Sequence, residues 1–427
     1  MDGDVSQMRK AGWKAGVGAV PITPRESMWL AGWAARKRPA EGAAGELFAK
    51  ALAVEDPSGR RALIITVELI AVSRELARAV ANQVQARWGI PRNQVLFNAS
   101  HTHTGPEVRP DKVPFFEIPA EFAAKIGRYV AGLEEQLVAV GGQAIAASQP
   151  VDLSAHRAQA AFAHNRRSPG GPVDREVPVL KATGTDGRVR AVLFGYACHN
   201  LTLPPSFCQY HGDYAGVAQR CLEAAHPGAT ALFLAGAGAD QDPVPAGTLA
   251  MAEEHGRTLA GAVAASLAGP GTPVAGGLGS SFEEVLLDFM PLPAREELEA
   301  EAHSAEPPRQ RKAKFLLAAL AENRPLPTSY PCPVQVLRFG QELLLIALGG
   351  EPVAEYALKF KAEFAGPLVW VAGYANDMFG YVPTRQVQIE GGYEAGRAML
   401  WSALPSRFTE TVEERVVDTV RRLVRET

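Results

Sequence analysis

Polar, metal-binding side chains stand directly after apolar segments at four places in this chain. The first is the run 98–106, Asn-Ala-Ser-His-Thr-His-Thr-Gly-Pro, which follows a β-rich stretch. In an extended backbone side chains alternate, so His101 and His103 are expected on one side. Two imidazoles there can bind a metal together, or one can bind while the other handles protons. An isolated His-x-His also suits two ordinary polar loop histidines. The second place is 192–200, where Val-Leu-Phe-Gly-Tyr-Ala-Cys runs straight into His199 and Asn200. A buried histidine must be hydrogen-bonded or metal-bound. Cys198 should face away from His199 and is read as packed core. The third is Leu348-Gly349-Gly350-Glu351, whose acid fits either a site or the start of a helix over 353–360, where the dipole favours negative charge. The fourth is 235–243, Ala-Gly-Ala-Gly-Ala-Asp-Gln-Asp-Pro, whose small residues predict close backbone approach or an anion nest. No GK[ST] follows, so it is not a P-loop. Histidines with one glutamate suit zinc with an open coordination position.

The elements that must position these groups read as an α/β fold of mixed sheets with flanking helices and the metal site at strand ends. Residues 62–70 form a buried strand. Ser73 caps a helix to Trp88, which Gly89 and Pro91 stop. The strand 94–99 follows, completing a crossover unit. A long helix is expected over 120–147, weakened by Gly141 and Gly142, and a hairpin over 177–197 turning at Asp186-Gly187. Then come a helix at 213–225, a strand at 229–234, a helix at 253–267 and a hairpin at 334–348 turning near Gly340-Gln341. An amphipathic terminal helix lies within 408–427. The stretch 306–311, Glu-Pro-Pro-Arg-Gln-Arg, reads as a charged break between two helical segments, a surface loop or lid. Candidate ligands at 101, 199 and 351 require one fold spanning that range, so residues 1–427 are expected to be a single large catalytic domain.

Composition excludes several classes. The chain has 43 Lys plus Arg against 46 Asp plus Glu, a formal charge of -3, which argues against a nucleic-acid partner. A hydrophobic share of 47% and a charged share of 21% exclude a mostly disordered chain. The longest apolar stretch, 62–72, is broken by Glu68 and is far too short for a membrane span. Four cysteines argue against a disulfide scaffold. No GxSxG elbow supports a serine hydrolase. The N-terminal MDGDVSQMRKAGWKAG lacks an apolar signal core, which predicts a cytoplasmic protein, or a secreted or periplasmic one already freed of its leader. Arg36, Lys37 and Arg38 beside Trp29 and Trp33 read as a solvated loop next to the pocket.

Taken in order, the motifs resemble those of the neutral/alkaline non-lysosomal ceramidase N-terminal domain over about residues 12–400. They are GVGAVPITP at 16–24, SHTHTGP at 100–106, NRRS at 165–168, YACHN at 196–200, GDYAG at 212–216, GADQDP at 238–243, GGE at 349–351, FGYVPT at 379–384 and EGG at 390–392. The resemblance implies one Zn²⁺ per chain held by His101, His199 and Glu351, with Tyr381 completing or flanking the site. It implies His103 in substrate contact and proton transfer. Arg166 would hold the substrate or developing oxyanion, with Arg167 next in line if the register slips by one.

The implied activity is zinc-dependent hydrolysis of a linear amide, an N-acyl amide as in ceramidases, by metal-activated water. An esterase or lactonase on the same metal site and a non-catalytic binding protein are the alternatives. The expected partner is a small amide or ester; the sequence leaves the oligomeric state open. Three positions depart from the family pattern. Asp242 stands where the family has a serine, Ile389 where it has the tyrosine of a Tyr-Glu-Gly motif, and Pro21 where it has an aspartate. The family's C-terminal β-sandwich is also missing from these 427 residues, so a divergent member is expected, with a substrate that need not be a lipid.

Overall fold

A computed structural model describes residues 12–427. The N-terminal stretch on which the absence of a leader was read lies largely outside them. Two sheets carry the fold. The larger runs, edge to edge, through the strands Val95–Ala99, Arg61–Val67, Phe48–Glu55, Lys14–Pro21, Gln149–Gln159, Glu176–Gly184, Val189–Tyr196 and Thr230–Ala235. A short strand, Thr272–Pro273, pairs with Gln149–Gln159. The smaller sheet comprises Leu278–Asp288, Ser329–Phe339, Leu343–Leu348 and Leu368–Ala372.

The sheets stack face to face. Leu52, Ile64, Leu96, Leu193 and Leu232 from one meet Leu337, Leu345 and Trp370 from the other in a shared core. The far face of the larger sheet is covered by the helices Arg74–Trp88, Glu121–Ala146, Asp213–Ala225 and Leu249–Leu267. That of the smaller sheet is covered by Ala354–Glu363 and Val412–Glu426. The Arg61–Val67 strand shows why its sequence is apolar without alternation: Leu63, Ile65 and Val67 face the helices while Ala62 and Ile64 face the second sheet.

Three parallel strand pairs matter for the site, because each is built around a crossover helix. Arg61–Val67 pairs with Val95–Ala99, Val189–Tyr196 with Thr230–Ala235, and Leu343–Leu348 with Leu368–Ala372. Local signals set the first crossover. Ser73 accepts from the Leu76 amide at 3.2 Å, and Gly89 takes a left-handed φ of 68° to end the helix. The larger sheet curls until its two edge strands approach each other. The fully buried side chain of Asn98 fastens them. Its Oδ1 accepts from Ala235 N at 2.9 Å and its Nδ2 donates to Gly373 O at 2.7 Å. One amide thus ties the ends of three strands together.

One expectation needs correction. Residues 306–311 are not a break: Pro307–Ala321 is helical, and the interruption lies just before it. Prolines in a first helical turn lose no hydrogen bond, because those amides have no partner in any helix. The long helix runs unbroken through Gly141 and Gly142. The Lys14–Pro21 strand, rich in alanine and glycine, has little strand propensity of its own. Its composition answers to packing instead. A Cβ on Gly16 would sit 2.2 Å from Ala144 O, and one on Gly18 2.6 Å from Val140 O, so only glycine lets the Glu121–Ala146 helix lie this close.

Candidate metal centre and its pocket

The Val95–Ala99 strand ends two residues before the first ligand candidate, His101. His101 has a φ of 62°, so the backbone here is left-handed rather than extended. The two rings still meet, with centroids 5.1 Å apart, by a turn and not by strand alternation. His199 follows the Val189–Tyr196 strand, and its ring centroid lies 4.9 Å from that of His101. The nitrogens of His101, His103 and His199 that could hold an ion all lie within 4.8 Å of one another.

Glu351 comes from the second sheet, after Leu343–Leu348. The two-residue strand Glu351–Pro352 pairs in parallel with Tyr381–Val382, with Glu351 opposite Tyr381. This pairing turns the acid toward the histidines, and Glu351 is not the cap of the helix that starts at Ala354. Its Oε2 lies 3.4 Å from His101 Nε2 and 3.5 Å from His199 Nε2.

The electrostatics suit a cation. Burial pushes the pKa of His101 down to about 3 and that of His199 to about 4, and holds His103 well below the usual range, so all three rings are neutral. Neutral imidazole is the form that ligates metals. His101 Nδ1 is 2.8 Å from Ile70 O and His199 Nδ1 is 3.4 Å from Gly238 O, which leaves each Nε2 free to face Glu351. Both ring nitrogens of His103, Oε2 of Glu351 and the hydroxyl of Tyr374 are buried without a hydrogen-bond partner. Such orphaned polar atoms are costly unless something further satisfies them. Two or three imidazoles and a carboxylate form a donor set that fits a zinc-like ion.

The second half of the site is an ion-paired wall. A short ladder of Ala163–Asn165 on Gln241–Pro243 brings two motifs together, and Arg166 N donates to Asp240 O at 2.8 Å. Arg166 Nη2 then reaches Tyr381 Oη at 3.0 Å, Nε reaches Glu394 at 2.8 Å and Nη1 reaches Asp242 at 3.2 Å. Arg167 points elsewhere, to Glu394 at 2.7 Å and Glu390 at 3.0 Å. Asp242 is therefore one of two counter-ions of Arg166, with Glu394 the other. Asp240 caps the next layer, accepting from Ala354 N at 2.8 Å and Asn165 Nδ2 at 3.0 Å. The small residues before it serve close packing, since a Cβ on Gly238 would lie 2.4 Å from the Ala197 carbonyl carbon.

Several residues of the site escaped the sequence reading. Ile389, at the position expected to carry a tyrosine, is 66% exposed. A tyrosine stands four residues later: Tyr393 packs 5.3 Å from Tyr381, with the Arg166 guanidinium 5.7 Å from its ring centroid. Glu394 beside it holds both arginines. Tyr374 packs 4.4 Å from the His101 ring. Arg36 is not solvated but buried, donating to His103 O at 2.9 Å and Phe207 O at 2.7 Å. Gly32, with φ 88°, lies so near that a Cβ would come within 2.4 Å of the His103 ring. No local signal marks Tyr374, Arg36 or Gly32. Cys198 is buried as expected, its thiol pKa raised by burial, which makes it a poor nucleophile.

Two connected spaces meet at this centre. An outer groove of about 970 Å³ is lined by Trp33, His103, Arg166, His199, Asp242 and Tyr381, among others. An inner cavity of about 80 Å³ continues past His101 and Glu351 toward Arg109, Lys112 and Met399. No helix among the described residues is long and apolar enough to cross a membrane.

Known proteins share this architecture. A neutral ceramidase from Pseudomonas aeruginosa superposes with a TM-score of 0.73 at 19% identity, covering 96% of this chain and 75% of that one. A ceramidase complexed with C2 matches with the same score and identity. In sequence, the neutral ceramidase of Oryza sativa subsp. japonica is 23% identical over 222 residues, 49% of this chain and 28% of the rice protein. Neutral ceramidase 2 of Arabidopsis thaliana is likewise 23% identical, over 29% of its length. The aligned region thus spans under a third of these plant relatives. The family described as neutral/alkaline non-lysosomal ceramidase, N-terminal, matches residues 13–277, which include His101, His103, Arg166 and His199 but stop short of Glu351 and Tyr381. With that match over more than half of its length, the chain belongs to the neutral/alkaline non-lysosomal ceramidase family.

Proposed function

We propose that this protein is a zinc-dependent hydrolase of a linear N-acyl amide, with His101, His199 and Glu351 as ligands, Tyr381 flanking the ion, and His103 and Arg166 in catalysis. One observation carries this reading: buried, neutral imidazoles converge on a carboxylate whose inward oxygen has no hydrogen-bond partner. Family membership supports the amide as the bond cleaved. When bound, the ion lowers the pKa of its water to about 7 and polarises a carbonyl.

The remaining steps fall to the chain itself. Arg166 donates to the Tyr381 oxygen, so the phenol keeps its own proton to offer to the substrate. Burial holds the Tyr381 pKa well above its usual value, which keeps that proton in place. Phenol and guanidinium together suit the negative oxygen that develops on a carbonyl under attack. His103, neutral and with both nitrogens free, is placed to pass a proton to the departing amine. Gly32 and Trp33 pack against its ring and Arg36 holds its carbonyl, so its position is fixed.

The test is metal content by elemental analysis, with hydrolysis of N-acyl amides before and after chelation. We expect about one zinc per chain, loss of activity with chelator and recovery with Zn²⁺. His101→Ala should lose both metal and activity. Stoichiometric metal and full activity in that variant would overturn the ligand assignment.

A further inference from the structure

Tyr374 carries two costs that the proposed reaction does not account for. Its backbone is left-handed, with a φ of 52°, a conformation that bulky side chains rarely adopt. Its hydroxyl is buried without a hydrogen-bond partner among the described residues, and the residue is 1% exposed. Backbone strain and orphaned buried polar groups persist chiefly where function holds them in place.

The surroundings of Tyr374 name that function. Its N–H donates to Gly350 O at 2.9 Å, and its carbonyl accepts from Ala99 N at 3.2 Å. Gly350 immediately precedes Glu351, and Ala99 stands two residues before His101. One residue is thus tied to both ligand-bearing segments. The ring lies against that of His101, with centroids 4.4 Å apart and planes 32° apart, and the His199 ring is 6.1 Å away. Burial, then the Glu351 carboxylate, holds the phenol pKa well above its usual value, so the hydroxyl keeps its proton and can donate. Tyr374 lines neither the outer groove nor the inner cavity. The hydroxyl therefore serves the ligands and not the substrate. Glu351 Oε2 and both His103 nitrogens, in the same cluster, are orphaned in the same way. A bound ion with its oxygen ligands satisfies such a set together, and groups behind the ligands tune how tightly it is held.

We infer that Tyr374 is a further residue of the metal centre: its ring holds His101 in orientation, and its hydroxyl donates to an oxygen ligand of the bound ion. This rests on the proposed metal site but not on the amide as substrate.

The experiment measures Zn²⁺ affinity by competition with a chelating dye, and urea midpoints in excess EDTA. It compares wild type with Tyr374→Phe and Tyr374→Leu, which share the same left-handed backbone. Tyr374→Phe removes only the hydroxyl and should weaken zinc binding about tenfold or more, the usual loss for a group that supports a metal ligand. In EDTA its urea midpoint should equal or exceed that of wild type, because the hydroxyl then has no partner to lose. A merely structural tyrosine would not give that pair of results. Tyr374→Leu removes the ring as well and should weaken zinc binding further. Unchanged zinc affinity in Tyr374→Phe would overturn the role of the hydroxyl. So would a lower urea midpoint in EDTA, which would mean that another buried group already satisfies it. Equal affinities in the two variants would overturn the role of the ring. A wild type that binds no Zn²⁺ would end the metal reading and this inference with it. Tight binding by wild type that Tyr374→Phe leaves unchanged would remove the inference alone.

Discussion

The two halves of the centre are built differently. The proposed ligand cradle of His101, His199 and Glu351 hangs from the ends of buried strands, and its partners are backbone carbonyls and the packed core. The wall opposite, from Arg166 to Trp401, is held by charge. Arg166 and Arg167 share Glu394, and buried lysines clamp the irregular segment around Trp401. A cradle made by packing fixes metal-binding atoms in place at little dependence on pH or salt. A wall made of ion pairs and carbonyl contacts carries substrate-facing groups and can titrate. The first should fail as a unit, the second piece by piece.

This contrast can be broken most strongly at Arg166. Arg166→Met should lower kcat by roughly 10²–10³, the usual loss for a donor to a developing oxyanion, while bound zinc stays near one per chain. Single-turnover kinetics with metal analysis on the same sample would decide. Loss of metal would mean that wall and cradle are one unit.

Asn98→Ala attacks the cradle from behind. It leaves Ala235 N–H and Gly373 C=O without their buried partner, a cost of about 2–6 kcal/mol at roughly 1–3 for each group. Urea unfolding should show that loss, and zinc should dissociate more readily because the strand end that leads to His101 is no longer tied. A variant as stable as the parent would remove Asn98 from its role.

The smallest effect sharpens the wall. Lys312 donates to Ser402 O at 2.8 Å and also to Leu404 O, and burial, with Lys112 nearby, lowers its pKa to about 7. Its unfolded value is near 10.4. Between those values the unfolded chain binds more protons, so this residue's contribution to stability rises from pH 7 to pH 10 and is lost as pH falls through 7. Lys312→Met should flatten that part of the stability profile, read from urea midpoints at pH 7 and 9.5. An unchanged slope would show that Lys312 stays charged throughout.

Legibility followed the same divide between local and distant causes. The helix Arg74–Trp88 could be placed to the residue because its cap, stop glycine and apolar spacing are neighbours in sequence. Asp213–Ala225 was equally clear. The strand Lys14–Pro21 was not, because its glycines answer to a helix more than a hundred residues away. Residues 306–311 misled because proline reads as a breaker unless its place within the helix is known. At the site, the histidines were paired on the assumption of an extended backbone that His101 does not have, since its positive φ goes with contacts to Leu69 and Ile70.

The sequence by itself determined the donor inventory, the crossover units that present it and the near-neutral charge. Those properties are carried by residue type and short-range periodicity. Tertiary structure alone decided that Glu351 faces two histidines, that Arg166 and not Arg167 meets Tyr381, that Tyr393 packs against Tyr381 while Ile389 is exposed, and that Arg36 is buried. Each of these turns on strand register and sheet stacking between segments far apart in the chain, where a shift of one residue reverses which side chain points inward.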